Sequence, residues 1–232
     1  MFRRVRKWWA GGRGKITARL FVFEFVVVMS GVLTAQALQN WVAHRSAVAA
    51  MEETRVRTIH EQSANLATVR AWQAAIPCLD SRMQAIMRAA ANGSIDPFML
   101  ERPKFADFTQ SQIDDQSELQ MRARYGNRLV DGYEGMRSNV EFARSNVGTI
   151  VHSWGRLTLS DPRFGKMSEA DRSVVRTAAA DIRAELRGLG YALTDFAAAA
   201  DRSRVTILNE ARTRPARACD EIWRAGSVAI PR

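Results

Sequence analysis

Residues 20–38 read LFVFEFVVVMSGVLTAQAL, a run of nineteen residues with a single charge at Glu24. A helix of that length is about 28 Å long, close to the roughly 30 Å of hydrocarbon in a bilayer. Length and composition therefore predict a transmembrane helix over residues 20–41, with Trp41 at its far interface. The lipid bilayer is the first partner that the sequence predicts.

The distribution of charge predicts the orientation of this helix. The chain carries 34 Lys and Arg against 24 Asp and Glu, a net charge of +10. Residues 1–19 hold seven of the basic residues and no acidic one, so the rest has 34 − 7 = 27 basic against 24 acidic residues. This basic leader predicts a cytoplasmic N-terminus at a bacterial inner membrane, with residues 42–232 in the periplasm. Since the charge excess lies in the leader, we expect no nucleic-acid partner.

A cleaved signal peptide is the alternative to an anchor. Ala35-Gln36-Ala37 has the small-x-small form of a cleavage site and follows a basic leader. Against it, the apolar run is long, contains Glu24, and continues without a break into helical sequence. These features favour an uncleaved anchor, and a secreted helical protein stays open as the alternative.

One face of the predicted span combines a carboxyl group with small residues. Glu24, Gly31 and Ala35 recur at helical spacing, and Gly31 and Ala35 form a small-xxx-small pair that allows close helix approach. This face is predicted to contact another transmembrane helix, with Glu24 hydrogen-bonded across the contact. Alternatively, Glu24 lies close enough to Arg19 to reach the cytoplasmic interface.

The same residues carry a resemblance. Glu24 with Gly31 seven residues on, Val32-Leu33, Ala35, and then Asn40-Trp41, resembles the N-terminal anchor of families of uncharacterised bacterial single-pass membrane proteins. The resemblance covers about residues 20–45. It implies an uncleaved anchor followed by a helical domain, and it implies no activity.

After residue 41 the pattern is helical, which predicts an all-α chain: a transmembrane helix followed by an extracytoplasmic antiparallel helical bundle. Two long apolar stripes predict helices over residues 133–157 and 168–210, joined as a hairpin. Ser168 and Asp171 have the spacing of a capping box at the start of the second helix. The periodicity resembles a coiled coil, so the stripes pack either within one chain or between two copies in a homodimer. The stripe positions are Tyr133, Met136, Val140, Ala143, Val147, Ile150, Trp154 and Leu157, then Val175, Ala179, Ile182, Leu186, Leu189, Leu193, Phe196 and Ala200.

A third helix is predicted from Asn40 to Ala75. Its apolar positions are sparse, and polar residues such as Gln62 occupy part of the stripe, so we expect it to pack only over its outer half. Pro77 is predicted to end it and to open a short helix that stops at Asn92-Gly93.

Residues 93–112 contain two prolines and are predicted to form an irregular loop. Phe98, Phe105 and Phe108 make this loop unusually apolar. We expect them to cap one end of the bundle, and the alternative is that they line a ligand or partner surface.

Cys78 and Cys219 are the two cysteines of the chain. In an oxidising compartment they are predicted to form a disulfide. The alternative is a reactive Cys78 thiol, since a helix N-terminus lowers a thiol pKa.

The sequence contains no Gly-x-Ser-x-Gly, Walker, Rossmann or His-Glu-x-x-His motif, and its three histidines are isolated. We therefore predict no enzyme, no cofactor and no metal site. Arginines near the C-terminus form a basic region that is either a solvated surface or a surface for an anionic headgroup or partner. The favoured function is a scaffold or accessory subunit of a membrane complex. The alternative is a ligand-sensing module, with a pocket near the 93–112 loop, that signals laterally to a partner.

Overall fold

The computed structural model describes residues 12–110, 112–208 and 213–231. Two 3₁₀ turns, Thr158–Ser160 and Pro162–Phe164, join the two long outer helices, and strands β1 (Thr213–Arg214) and β2 (Ile230–Pro231) form a two-residue antiparallel pair. The rest of the regular structure in the described residues is helical, which confirms the all-α class. The helices are α1 (Gly12–Ala91), α2 (Pro97–Leu100), α3 (Asp115–Tyr125), α4 (Asn127–Leu157), α5 (Glu169–Arg202) and α6 (Cys219–Ala225).

The chain divides into two compact units, one ending at Glu52 and the other comprising Glu53–Arg232, called here the outer unit. In the first unit, the large apolar side chains between Leu20 and Val42 are exposed, and the helix is long and apolar enough to cross a membrane. These properties are compatible with the predicted transmembrane helix. Most of the predicted leader lies outside the described residues, and the backbone of residues 12–19 is helical.

The prediction that Pro77 ends a helix is wrong, because α1 continues through Pro77 to Ala91. A proline inside a helix removes one backbone hydrogen bond and costs about 3 kcal/mol. Trp72 and Leu79, on either side of Pro77, are fully buried. Burial of large apolar side chains contributes about 1.5–3 kcal/mol each, enough to offset the proline.

The predicted stop at Asn92-Gly93 is confirmed. Gly93 has a φ of +78°, the left-handed conformation that glycine adopts without strain. The Gly93 N–H donates to Ala90 O, and the Ser94 N–H donates to Ala89 O. These two bonds form a Schellman motif, which satisfies carbonyl groups at the end of α1.

In the outer unit, α4 and α5 lie antiparallel. The start of α4 meets the end of α5, where a Cβ built on Gly132 would lie 1.7 Å from Ser203 Oγ. The end of α4 meets the start of α5, where Arg156 Nη2 lies 2.7 Å from Asp181 Oδ2. Every predicted stripe position of the two helices is buried except Val147, which is partly buried.

Helix α5 begins as predicted and ends early. The capping box is present, with Ser168 Oγ accepting from the Asp171 N–H and Asp171 Oδ2 accepting from the Ser168 N–H. The predicted end at residue 210 is wrong, because α5 stops at Arg202 and Arg204 has a φ of +56°. The Val205 N–H then donates to Ala200 O, which closes the helix. Residues 209 and 210 themselves lie outside the described residues.

The outer part of α1 contacts α5 and the segment that follows it, in agreement with the prediction that only the outer half of this helix packs. Asp80 Oδ1 accepts from Arg183 Nε at 2.6 Å, and Ser63 Oγ accepts from the Leu208 N–H at 2.7 Å. The Arg183 guanidinium holds the pKa of Asp80 below its ordinary value. After the buried Met51, the next buried side chains along α1 are polar, and these are Thr54, Thr58, Gln62, Ser63 and Asn65.

Candidate functional site

The residues predicted for helix contact lie in the first unit, on one face of α1. Glu24, Gly31 and Ala35 are all exposed. A Cβ built on Gly31 would meet no atom within 4 Å. Within the described residues this face is therefore uncovered. Its contact with another transmembrane helix stays a prediction.

The 93–112 loop contributes to the core of the outer unit through its backbone and one aromatic ring. Trp72 Nε1 donates to Ala106 O at 3.1 Å, and Trp154 Nε1 donates to Leu100 O at 2.9 Å. The Phe105 ring lies between the two indoles, with centroids 5.1 Å from Trp72 and 5.8 Å from Trp154. An indole N–H from each of the two long helices, α1 and α4, thus holds the loop by donating to one of its backbone carbonyl groups.

The three phenylalanines of this loop do not form one surface. Phe108 is 4% exposed and Phe105 is partly buried, so both complete the core, whereas Phe98 is 51% exposed. The loop contacts α1 at Trp72 and again at Asn65, so it covers a side of the helix. The expectation that it caps one end of the bundle stays a prediction.

The cysteines are brought together across 141 residues. The sulfurs of Cys78 in α1 and Cys219 in α6 lie at disulfide distance, with Cα atoms 5.4 Å apart. Four residues further along each helix, the Arg82 guanidinium lies 3.4 Å above the centre of the Trp223 ring. Burial at this contact lowers the pKa of Arg82. The two contacts, one turn apart, dock α6 on α1.

A partly buried ion pair within the C-terminal segment supports this docking. Glu221 in the first turn of α6 pairs with the Arg214 guanidinium and accepts from the Arg217 N–H at 2.8 Å. The hydrogen bond from Arg214 lowers the pKa of Glu221 to about 2. The ion pair is therefore formed throughout the neutral pH range.

The outer unit also contains a pocket of about 400 Å³ that we call the basic pocket. Residues from α1, the α3–α4 junction and the end of α5 meet in it. Its wall carries four guanidinium groups against the single carboxylate of Asp201. The lining residues are Arg55, Tyr125, Arg128, Leu129, Asp201, Arg202, Ser203 and Arg204.

A second pocket, of about 540 Å³, lies at the first residues of the 93–112 loop. Gly93, Ser94 and Ile95 line it from one side, and Ser160, Pro162, Gly165, Lys166 and Met167 line it from the other, with Lys166 as the charged group. Phe98, Phe105 and Phe108 are not among the described residues that line this pocket. The pocket lies near the 93–112 loop, where the alternative function places one, and ligand binding there stays a prediction.

No catalytic cluster emerges from the residues the structure describes. His44, His60 and His152 are exposed and far apart along the chain. In the same ranges no group of three or more His, Cys, Asp or Glu side chains is placed to hold a metal ion. The absence of an enzyme activity stays a prediction.

Comparison of the chain with models of protein families, with curated proteins and with solved structures finds no match. The resemblance of the N-terminal segment to bacterial anchors therefore rests on its own residues.

Proposed function

We propose that this chain is a non-enzymatic, membrane-anchored helical protein that serves as a scaffold or accessory subunit of a membrane complex. In this proposal the N-terminus is cytoplasmic, residues 20–41 span a bacterial inner membrane, and the outer unit is a periplasmic antiparallel helical bundle. The observation that carries the proposal is the run of exposed large apolar side chains from Leu20 to Val42. Such a surface is stable in lipid and costly in water.

The Glu24 face supports a protein partner within the membrane. A carboxyl group inside the hydrocarbon costs a few kcal/mol unless it finds a hydrogen-bond partner. Gly31 and Ala35 lie about two and three turns further along the same face, where small side chains let a second helix approach closely. A partner helix would thus both satisfy Glu24 and fill the shallow surface beside it.

Two alanine substitutions make a matched test of this face. Ala35 lies within about 20° of Glu24 around the helix axis, whereas Ala37 lies about 220° away, on the opposite face. Ala35→Leu therefore obstructs the proposed contact, and Ala37→Leu adds the same volume elsewhere. Full-length tagged protein would be purified from native membranes in mild detergent, together with Glu24→Gln.

We expect a defined membrane protein to co-purify with wild type and with Ala37→Leu. Recovery of this protein should fall about tenfold in Ala35→Leu and in Glu24→Gln. Co-expression of a second, differently tagged copy identifies a homodimer as the complex. Equal recovery with all four proteins would contradict the proposed contact face.

The anchor itself is tested by the N-terminus of the mature protein. An intact mass that includes residues 1–37 is expected for an uncleaved anchor. A mature chain that begins at Leu38 would identify a secreted protein and would overturn the anchor.

A further inference from the structure

We propose that the basic pocket binds a phosphate group, carried either by an anionic lipid headgroup or by a soluble phosphate ester. This site is independent of the partner of the Glu24 face. The proposal rests on the convergence of charge from distant segments, on a backbone conformation that places one arginine, and on an unsatisfied hydroxyl group in the pocket wall.

The charge in the pocket comes from three separate parts of the outer unit. Arg55 belongs to α1, Arg128 lies in the first turn of α4, and Arg202 is the last residue of α5. A helix C-terminus favours a cation such as Arg202, but a helix N-terminus disfavours one such as Arg128. Helix dipoles therefore do not explain the cluster. An anion between these helices would stabilise all of its members.

The pocket arginines at the start of α4 and at the end of α5 have guanidinium N–H groups that are available to a ligand. Elsewhere in the outer unit, arginines such as Arg156 and Arg183 pair with carboxylates. Among the described residues, Arg128, Arg202 and Arg204 form no ion pair. Guanidinium groups bind phosphate oxygens through two parallel N–H bonds, which makes arginine the preferred side chain for this ligand.

Arg204 occupies a backbone position where glycine is usual. Its φ of +56° closes the Schellman-type end of α5, and an arginine pays steric strain there that glycine would avoid. Strained non-glycine residues are concentrated at functional sites. The strain is consistent with a role for the Arg204 guanidinium in the pocket.

Ser203 supplies the second, independent observation. It lies in the pocket wall, is 7% exposed, and its Oγ has no hydrogen-bond partner within the described residues. Buried hydroxyl groups are nearly always satisfied, and this one lies against Gly132 of α4, at the edge of the pocket. The oxygens of a phosphate accept hydrogen bonds from several guanidinium groups at once. Tyr125 and Leu129 give the same pocket an apolar side for the remainder of the ligand.

The test measures binding of inorganic phosphate to the full-length protein in nanodiscs of phosphatidylcholine, by isothermal titration calorimetry at constant ionic strength. The pocket variant is Arg128→Gln with Arg204→Asn, since asparagine tolerates the left-handed backbone. The control variant, Arg70→Gln with Arg187→Gln, removes two exposed arginines that do not line the pocket. Far-UV circular dichroism verifies that both variants are folded.

We expect the Kd for phosphate to rise at least about tenfold in the pocket variant and to stay within about twofold of wild type in the control. Equal affinity of wild type and the pocket variant would overturn the proposal. So would an equal loss in the control, because binding would then follow overall charge.

A second set of nanodiscs, containing phosphatidylglycerol, distinguishes the two sources of the phosphate. A several-fold weaker apparent affinity of wild type for inorganic phosphate in these nanodiscs would show that the lipid headgroup competes for the pocket. Unchanged affinity would assign the pocket to a soluble phosphate ester. Either result supports the phosphate site, provided that the pocket variant has lost binding.

Discussion

The core of the outer unit has two halves that are equally buried and chemically different. Around Trp72, Leu79 and Met83, α1 contributes apolar side chains with no exposed surface. Around Thr58 and Asn65, the same helix contributes polar side chains that are 1% exposed. Burial of a large apolar side chain contributes about 1.5–3 kcal/mol, whereas a hydrogen bond contributes a net of about 0.5–1.5 kcal/mol.

The apolar half and the polar half of the core have different roles. The apolar half, which includes the Trp72–Phe105–Trp154 cluster, supplies most of the free energy of folding. The polar half holds neighbouring segments, since Asn65 bonds to Thr109 and Ser63 to Leu208, and Arg55 at its start lines the basic pocket.

The largest effect is expected in the apolar half. Trp72→Ala removes a fully buried indole, its bond to Ala106 O and its contact with Phe105. We expect the free energy of unfolding to fall by about 3–5 kcal/mol. Chemical unfolding of the full-length protein in neutral detergent, followed by far-UV circular dichroism, measures the change.

Tyr191→Ala is the control, because Tyr191 is 74% exposed. This substitution should change the free energy of unfolding by less than about 0.5 kcal/mol. If Trp72→Ala lowers the free energy of unfolding by less than about 1.5 kcal/mol, the apolar half contributes no more to stability than the polar half.

An intermediate effect is expected where the polar half holds the loop. Asn65 Nδ2 donates to Thr109 O at 2.8 Å, and Asn65 Oδ1 accepts from the Thr109 N–H at 2.8 Å. Asn65→Leu leaves both backbone groups without these partners and should cost about 2–3 kcal/mol. Asn65→Asp keeps the acceptor, so hydrogen exchange should show the Thr109 amide protected in Asn65→Asp and unprotected in Asn65→Leu. Equal protection in the two variants would show that the side chain does not hold the loop.

The smallest effects are expected where α4 crosses α5. A Cβ at position 132 would lie 1.7 Å from Ser203 Oγ, so Gly132→Ala should cost about 1–3 kcal/mol. Ser203→Ala removes an unsatisfied hydroxyl and should be neutral or slightly stabilising. Combined with Gly132→Ala, it should restore at least half of the lost stability, as a double-mutant cycle measures. Additive effects would mean that another contact limits the approach of the two helices.

Much of the apolar half could be predicted from the sequence. The stripes of α4 and α5 repeat at helical spacing, so positions such as Ile150 and Leu189 were identifiable as core. Pro77 led to a wrong prediction of the helix end. A proline inside a helix costs only a few kcal/mol, and the packing of buried side chains on both sides of Pro77 contributes more than that.

The polar half and the basic pocket were harder to predict. Gln62 reads as an interruption of an apolar stripe, yet it is buried. The end of α5 depends on a left-handed Arg204, and arginine carries no sequence signal for that conformation. The C-terminal arginines were identified as a basic region, but Arg55 and Arg128 join them only through the tertiary fold.

Cys78 and Cys219 are 141 positions apart, and this separation determines when the two cysteines become available during synthesis of the chain. Polypeptides are synthesised at about 5–20 residues per second, so Cys219 is made roughly 7–28 s after Cys78. For that interval the Cys78 thiol is exposed to any other oxidant or thiol it meets. Pairing with Cys219 is thus a late step of biogenesis, and the supply of disulfide-exchange catalysts would govern how much of the newly made protein matures.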